Sequence, residues 1–102
     1  MSVSTHVLDA TTGRPAVGVP VLLTGPDGEL GTGHTDPDGR CALAPYDLEP
    51  GTYALTFDTG GYFAERTFYP SVTVTFRIAD GGAHHHVPLL LSPWSYTTYR
   101  GS

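Results

Sequence analysis

The chain has 102 residues, a length that fits one domain (residues 1–102) around a thin hydrophobic core. Hydrophobic residues make up 39% and charged residues 15%, which excludes a disordered acidic tail or a solvated coiled coil. The formal charge is −5, with no lysine and five dispersed arginines (Arg14, Arg40, Arg66, Arg77 and Arg100), so lysine Schiff-base chemistry and a basic stripe for nucleic acid are both excluded.

The opening residues Met1 to His6 lack the basic and apolar regions of a signal peptide, and no apolar run approaches a membrane span. A cytoplasmic protein without membrane contact is therefore expected. Period-two patterning starts at once. Val3, Thr5 and Val7 share one strand face, and Ser4, His6 and Leu8 the other, so His6 points outward if Val7 points inward. An outward strand histidine is by default a surface residue, but this one shares its face with apolar Leu8.

After the Thr12-Gly13-Arg14-Pro15 turn, Val17, Val19, Val21 and Leu23 alternate as a second strand. The turn signals Pro26-Asp27-Gly28 and Asp36-Pro37-Asp38-Gly39 follow. Arg40 then opens a short strand. It is either a solvated turn residue or a fixed guanidinium for an anion or a carbonyl-rich ligand. If Arg40 faces a site, alternation sends Cys41 to the opposite, core face, and as the single cysteine it makes no internal disulfide. Tyr53, Leu55 and Phe57 form a further strand after Glu49-Pro50-Gly51. Thr59 to Arg66 is the one stretch with room for a helical turn, and Val72, Val74, Phe76 and Ile78 alternate again.

Beyond Asp80-Gly81-Gly82 comes the cluster His84-His85-His86. Three readings stand side by side: a solvated polar edge, a base working near neutral pH, and a pair of zinc ligands from His84 and His86. His85, Val87, Leu89 and Leu91 share one face; His84, His86, Pro88 and Leu90 share the other. Pro88, lacking a ladder donor, is expected at a bulge or an edge. The apolar outer face needs a cover, and a second subunit is the obvious one. From Trp94 to Ser102 the chain alternates once more, with Tyr99 outward and Ser102 directly after the patterned strand. No Gly-x-Ser-x-Gly elbow and no suggestive acidic pair supports a serine hydrolase or a glycosidase. Short alternating strands punctuated by Gly and Pro turns predict an all-β sandwich of two sheets.

Both ends resemble a known family. Ser4-Thr-His-Val-Leu-Asp-Ala-Thr-Thr-Gly-Arg-Pro-Ala16 is similar to the opening signature of the transthyretin-related proteins, the 5-hydroxyisourate hydrolases. His86-Val-Pro-Leu-Leu-Leu-Ser-Pro-Trp-Ser-Tyr-Thr-Thr-Tyr-Arg-Gly-Ser102 is similar to their closing signature. His34-Thr-Asp-Pro-Asp-Gly-Arg-Cys41, Gly51-Thr-Tyr and Phe57-Asp-Thr-Gly match between them, so the likeness covers the whole chain. It implies a transthyretin-like sandwich of two four-stranded sheets with one short helix, assembled as a homotetramer with sites in a central channel. It further implies His6, Arg40, His86 and Ser102 as catalytic, His6, Arg40 and Tyr99 as substrate-binding, and no metal or organic cofactor. The chain departs from the family in having His85 where an aromatic is usual, and in a segment after Tyr62 short enough to trim the helix. The function implied is hydrolysis of 5-hydroxyisourate, a purine-derived small molecule. The alternative is a non-catalytic transthyretin-like module binding a planar aromatic ligand.

Overall fold

The computed structural model describes residues 2–102. Its strands are β1 (Val3–Asp9), β2 (Arg14–Pro15), β3 (Pro20–Gly25), β4 (Gly28–His34), β5 (Arg40–Ala44), β6 (Gly51–Phe57), β7 (Val72–Ile78), β8 (His85–Leu91) and β9 (Tyr96–Thr98). One sheet runs β4-β3-β6-β7. In the other, β1 and β8 lie at the centre, with β9 beyond β8. On the far side of β1, β5 pairs residues 3–6 and β2 pairs residues 8–9, so the two short strands share one edge. Each sheet is thus four strands wide, as the family resemblance implies.

Alternation explains the sandwich. Val3, Val7, Leu89 and Leu91 of one sheet and Val21, Leu23, Leu55, Phe57, Val72 and Ile78 of the other are all buried in the same core. Thr5 is fully buried among them because its hydroxyl donates to the Val87 carbonyl at 2.6 Å, which offsets the cost of dehydrating it. Cys41 is packed against this core, and burial, then Asp36, raises its thiol above the ordinary range.

Val17 departs from the expected strand. It is 50% exposed, because the chain turns at Gly18 with a φ of 79° and β3 begins only at Pro20. Thr59 to Arg66 does hold the helix, as α1 (Thr59–Phe63) followed by a single 3-10 turn over Ala64–Arg66. The Asp58 carboxylate caps it by accepting from the Gly61 amide at 2.9 Å. Tyr62 ties α1 to β1 through a 2.8 Å hydrogen bond to the Asp9 carboxylate. Burial and that carboxylate push the Tyr62 phenol up to about 12, so it stays a donor throughout the ordinary pH range.

Pro88 lies neither at a bulge nor on an edge. It stands in β8, between β1 and β9, paired in register with His6. Its missing N–H falls on the β9 side, where His86 accepts from the Gly101 amide. The ladder is broken there instead: β9 ends at Thr98 and pairing resumes only at the His86–Gly101 bridge. The Thr98 hydroxyl donates to the Pro88 carbonyl at 2.8 Å and fills the gap.

Candidate functional site

The site grows from register. The parallel β1–β8 pairing sets Ser4 beside His86 and His6 beside Pro88, and the antiparallel β1–β5 pairing sets His6 beside Arg40. Directly paired residues share a face, so Ser4, His6, Arg40 and His86 all stand on the outer face of one sheet. No local propensity brings them together; three strands do.

Arg40 is presented by a turn that Asp36 organises. The Asp36 carboxylate accepts from the amides of Asp38 and Arg40, each at 2.9 Å, while its own amide donates to the Arg40 carbonyl at 2.8 Å. Gly39 turns left-handed with a φ of 78°, and a Cβ there would stand 2.4 Å from the Val7 carbonyl oxygen. The same turn holds His6, whose Nε2 lies 2.9 Å from the Asp38 carbonyl oxygen. A carbonyl only accepts, so His6 carries its proton on Nε2 and keeps Nδ1 for any other partner.

His86 is gripped on two edges. Its Nδ1 lies 2.8 Å from the Ser4 hydroxyl, whose oxygen is also 2.8 Å from Nε2 of His84. Across the ring, Gly101 approaches so closely that a Cβ there would stand 2.5 Å from His86 Cδ2. Nε2 is left without a hydrogen-bond partner among the described residues. Burial first, and then His84, Arg40 and His6, lower the His86 imidazole below the ordinary histidine value of 6.5, which favours the neutral ring. The His84 and His86 rings stack at 22° with centroids 6.4 Å apart.

These groups border a depression of ≈ 350 Å³ lined by Ser4, Asp36, Arg40, His84, His86 and Ser102 among others. That volume lies within the range of about 300–1,000 Å³ typical of small-molecule sites. It contains a guanidinium, a neutral imidazole and hydroxyls, the equipment for holding a carbonyl-rich ligand and moving a proton. Among the described residues no group of three or more His, Cys, Asp or Glu side chains converges as a metal site would.

Of the residues singled out in the sequence, Arg40, His86 and Ser102 meet in this depression. His6 stands on the same sheet face, one register step from Ser4 along β1 and directly beside Arg40. Tyr99 does not join them. It is 58% exposed and borders a second cavity of ≈ 340 Å³, with Val74, Phe76, His85 and Val87, and His86 separates the two spaces. Tyr99 lies just past the end of β9, opposite Pro88 in the register that runs from Leu89–Thr98 to the His86–Gly101 bridge. His85 faces the core as alternation requires, 7% exposed, with its Nδ1 unpaired among the described residues. Ser4 is the residue that the sequence reading passed over. Its parity with His6 was visible, but its contact with His86 spans 82 positions and needs the parallel register.

Comparison with known proteins gives a consistent neighbourhood. The model of the HIUase/Transthyretin family matches residues 3–101. A 5-hydroxyisourate hydrolase from Mus musculus is 50% identical over 110 residues, covering 97% of this chain and 93% of that protein. The structure of Klebsiella pneumoniae 5-hydroxyisourate hydrolase superposes with a TM-score of 0.91 at 38% identity, covering 100% of both chains. Sea bream transthyretin in complex with thyroxine superposes with a TM-score of 0.88 at 30% identity, covering 99% of this chain and 95% of that one.

Proposed function

This chain belongs to the HIUase/Transthyretin family, and from that premise we propose that it is a 5-hydroxyisourate hydrolase. The observation that carries the reading is the meeting of Arg40, His86 and Ser102 in one depression, where burial and neighbouring positive groups lower the basicity of His86. The greater identity to the hydrolases than to the thyroxine-binding transthyretin favours catalysis over the carrier alternative.

In this mechanism the bond cleaved is the cyclic amide N1–C6 of the substrate. His86 accepts a proton at Nε2 from a water molecule as the water oxygen bonds to C6. Charge develops on the C6 oxygen, and the Arg40 guanidinium stabilises it. The N1–C6 bond then breaks as N1 takes the proton held on His86 Nε2, and the ring opens to 2-oxo-4-hydroxy-4-carboxy-5-ureidoimidazoline. His6 acts beside Arg40 through Nδ1, because its Nε2 is engaged by the Asp38 carbonyl. Ser102 positions substrate at the C-terminal rim. Tyr99, on the other side of His86, touches substrate only by rotating out of its own cavity. All steps use side chains of the chain itself.

We assign the protein to the cytoplasm as a homotetramer. Leu8 and Leu90, side by side in register and half-buried, continue the catalytic face as an apolar surface suited to a second copy. Leu90→Glu is expected to dissociate the assembly and abolish activity together, with sedimentation and turnover measured on one sample. Active monomers would refute the channel placement. The decisive experiment for the function is the ultraviolet decay of freshly generated 5-hydroxyisourate with and without the protein. Acceleration is expected, and an unchanged rate would sink the assignment.

A further inference from the structure

The outer face holds a group with no role in the mechanism above. One hydroxyl, that of Ser4, lies 2.8 Å from ring nitrogens of two histidines, and a hydroxyl has a single proton to donate. Ser4 must therefore donate to one ring and accept an N–H from the other, which couples the two protonation patterns. We propose that Ser4 is a positioning residue that locks His86 in the tautomer with Nδ1 protonated and Nε2 bare, and that it passes the proton His86 gains on to His84.

Three observations set the direction of the bridge. Nε2 of His86 has no partner among the described residues and belongs to a ring bordering the depression that holds the Arg40 guanidinium. Nδ1, which has the Ser4 oxygen as an acceptor, carries the proton and donates it to Ser4, and the unpartnered Nε2 keeps its lone pair. Ser4 in turn donates to Nε2 of His84. Gly101, pressed against Cδ2, keeps the ring from turning away. His84 is exposed to solvent and His86 is half-buried, so a positive charge is better hydrated on His84. The other titratable or charged groups around His86 include Arg40, His6 and Asp36, of which the first two oppose protonation of its ring.

The proton count closes. Water loses a proton to His86 Nε2. The His86 Nδ1–H bond breaks as a new O–H bond forms on Ser4, and the original Ser4 O–H bond breaks as Nε2–H forms on His84. His86 is then neutral with its proton on Nε2, Ser4 is unchanged in charge, and His84 carries the positive charge until the bridge runs back: Nε2–H protonates the departing N1, Nδ1 recovers a proton from Ser4, and Ser4 recovers one from Nε2 of His84. The bridge stands on geometry alone; its use in turnover rests on the proposed hydrolase reading.

The test separates the two. Nitrogen-15 NMR of histidine-labelled protein reads the tautomer of His86 directly, with no substrate. Nδ1–H with bare Nε2 is expected in the wild type, and a shift toward Nε2–H in Ser4→Ala. In 5-hydroxyisourate kinetics, Ser4→Ala is expected to lower kcat about 10-fold with little change in KM, and Ser4→Thr to recover it, the scale of a misdirected acid–base group. His84→Phe, which keeps a stacked ring but accepts no proton, is expected to lower kcat while leaving the His86 tautomer in place. An unaltered tautomer in Ser4→Ala, or a loss that Ser4→Thr fails to recover in a folded protein, would overturn the positioning role. Full activity in His84→Phe would overturn the relay. Wild-type protein inert toward 5-hydroxyisourate would refute the hydrolase reading and the relay in turnover, while the NMR result still judges the bridge.

Discussion

The two faces of the β1–β8 pair use the same strands for opposite ends. Inward, Val3, Thr5, Val7, Val87, Leu89 and Leu91 are buried, and the polar atom of Thr5 finds a partner. Outward, Ser4, His6 and His86 are hydrogen-bonded to one another's neighbourhood and half-open to solvent. His85 and His86 sharpen the contrast, because they are chain neighbours of one residue type. The inner one is a misfit in a core, with its Nδ1 unpaired among the described residues. The outer one is gripped by Ser4 and Gly101 and lowered in basicity by its surroundings. A histidine's work here is decided by strand parity, and its chemistry follows from which face it meets.

The strongest way to break that contrast is to remove the outer groups. His86→Ala or Arg40→Ala is expected to lower turnover by about 100-fold or more, with little change in thermal stability, since neither fills the core. A large loss of melting temperature in either variant would show that the outer face is structural. Next comes displacement without deletion. Gly101→Ala puts a Cβ 2.5 Å from His86 Cδ2, and the ring must yield. A small misplacement at a reacting group is expected to cost about 10-fold or more in kcat, with the protein still folded by circular dichroism. Equal activity would mean that the C-terminal strand moves freely and does not grip the ring.

A pH profile probes the outer face with a smaller effect. Because His86 is lowered, its neutral form persists below 6.5, so the acid limb of kcat/KM is expected to fall below that value. The stability sign follows the same direction. The unfolded chain takes up this proton first, so the contribution of His86 is present above 6.5 and is lost as pH falls through the lowered folded value. An acid limb at or above 6.5 would contradict the base assignment. The smallest effect belongs to the inner face. His85→Phe replaces a buried nitrogen that has no partner among the described residues by an apolar ring, and is expected to raise stability by about 1 kcal/mol without changing turnover. A loss of activity in this variant would mean that the second cavity, with Tyr99, takes part in catalysis.

Much of the fold was legible because alternation has a direct physical meaning in a half-buried strand. The inward set of β1, β6 and β8, and the helical turn over Thr59 to Arg66, follow from residue order alone. Val17 misled because Gly18 turns the chain between two apolar residues, and period counting does not see a positive φ. β4 went unread since Gly28 to His34 is an edge strand rich in glycine, without an apolar stripe to betray it.

The site divides along the same line. By itself the sequence determined which face each of Ser4, His6 and His86 would present, and the motifs at its two ends pointed to the family. Only the tertiary structure decided who meets whom. A parallel pairing places Ser4 against His86 across 82 positions, while Tyr99, just past the end of β9, borders a second cavity that His86 also lines. Parity is a local property of the chain; register is a property of two strands packed together, and no stretch of residues contains it.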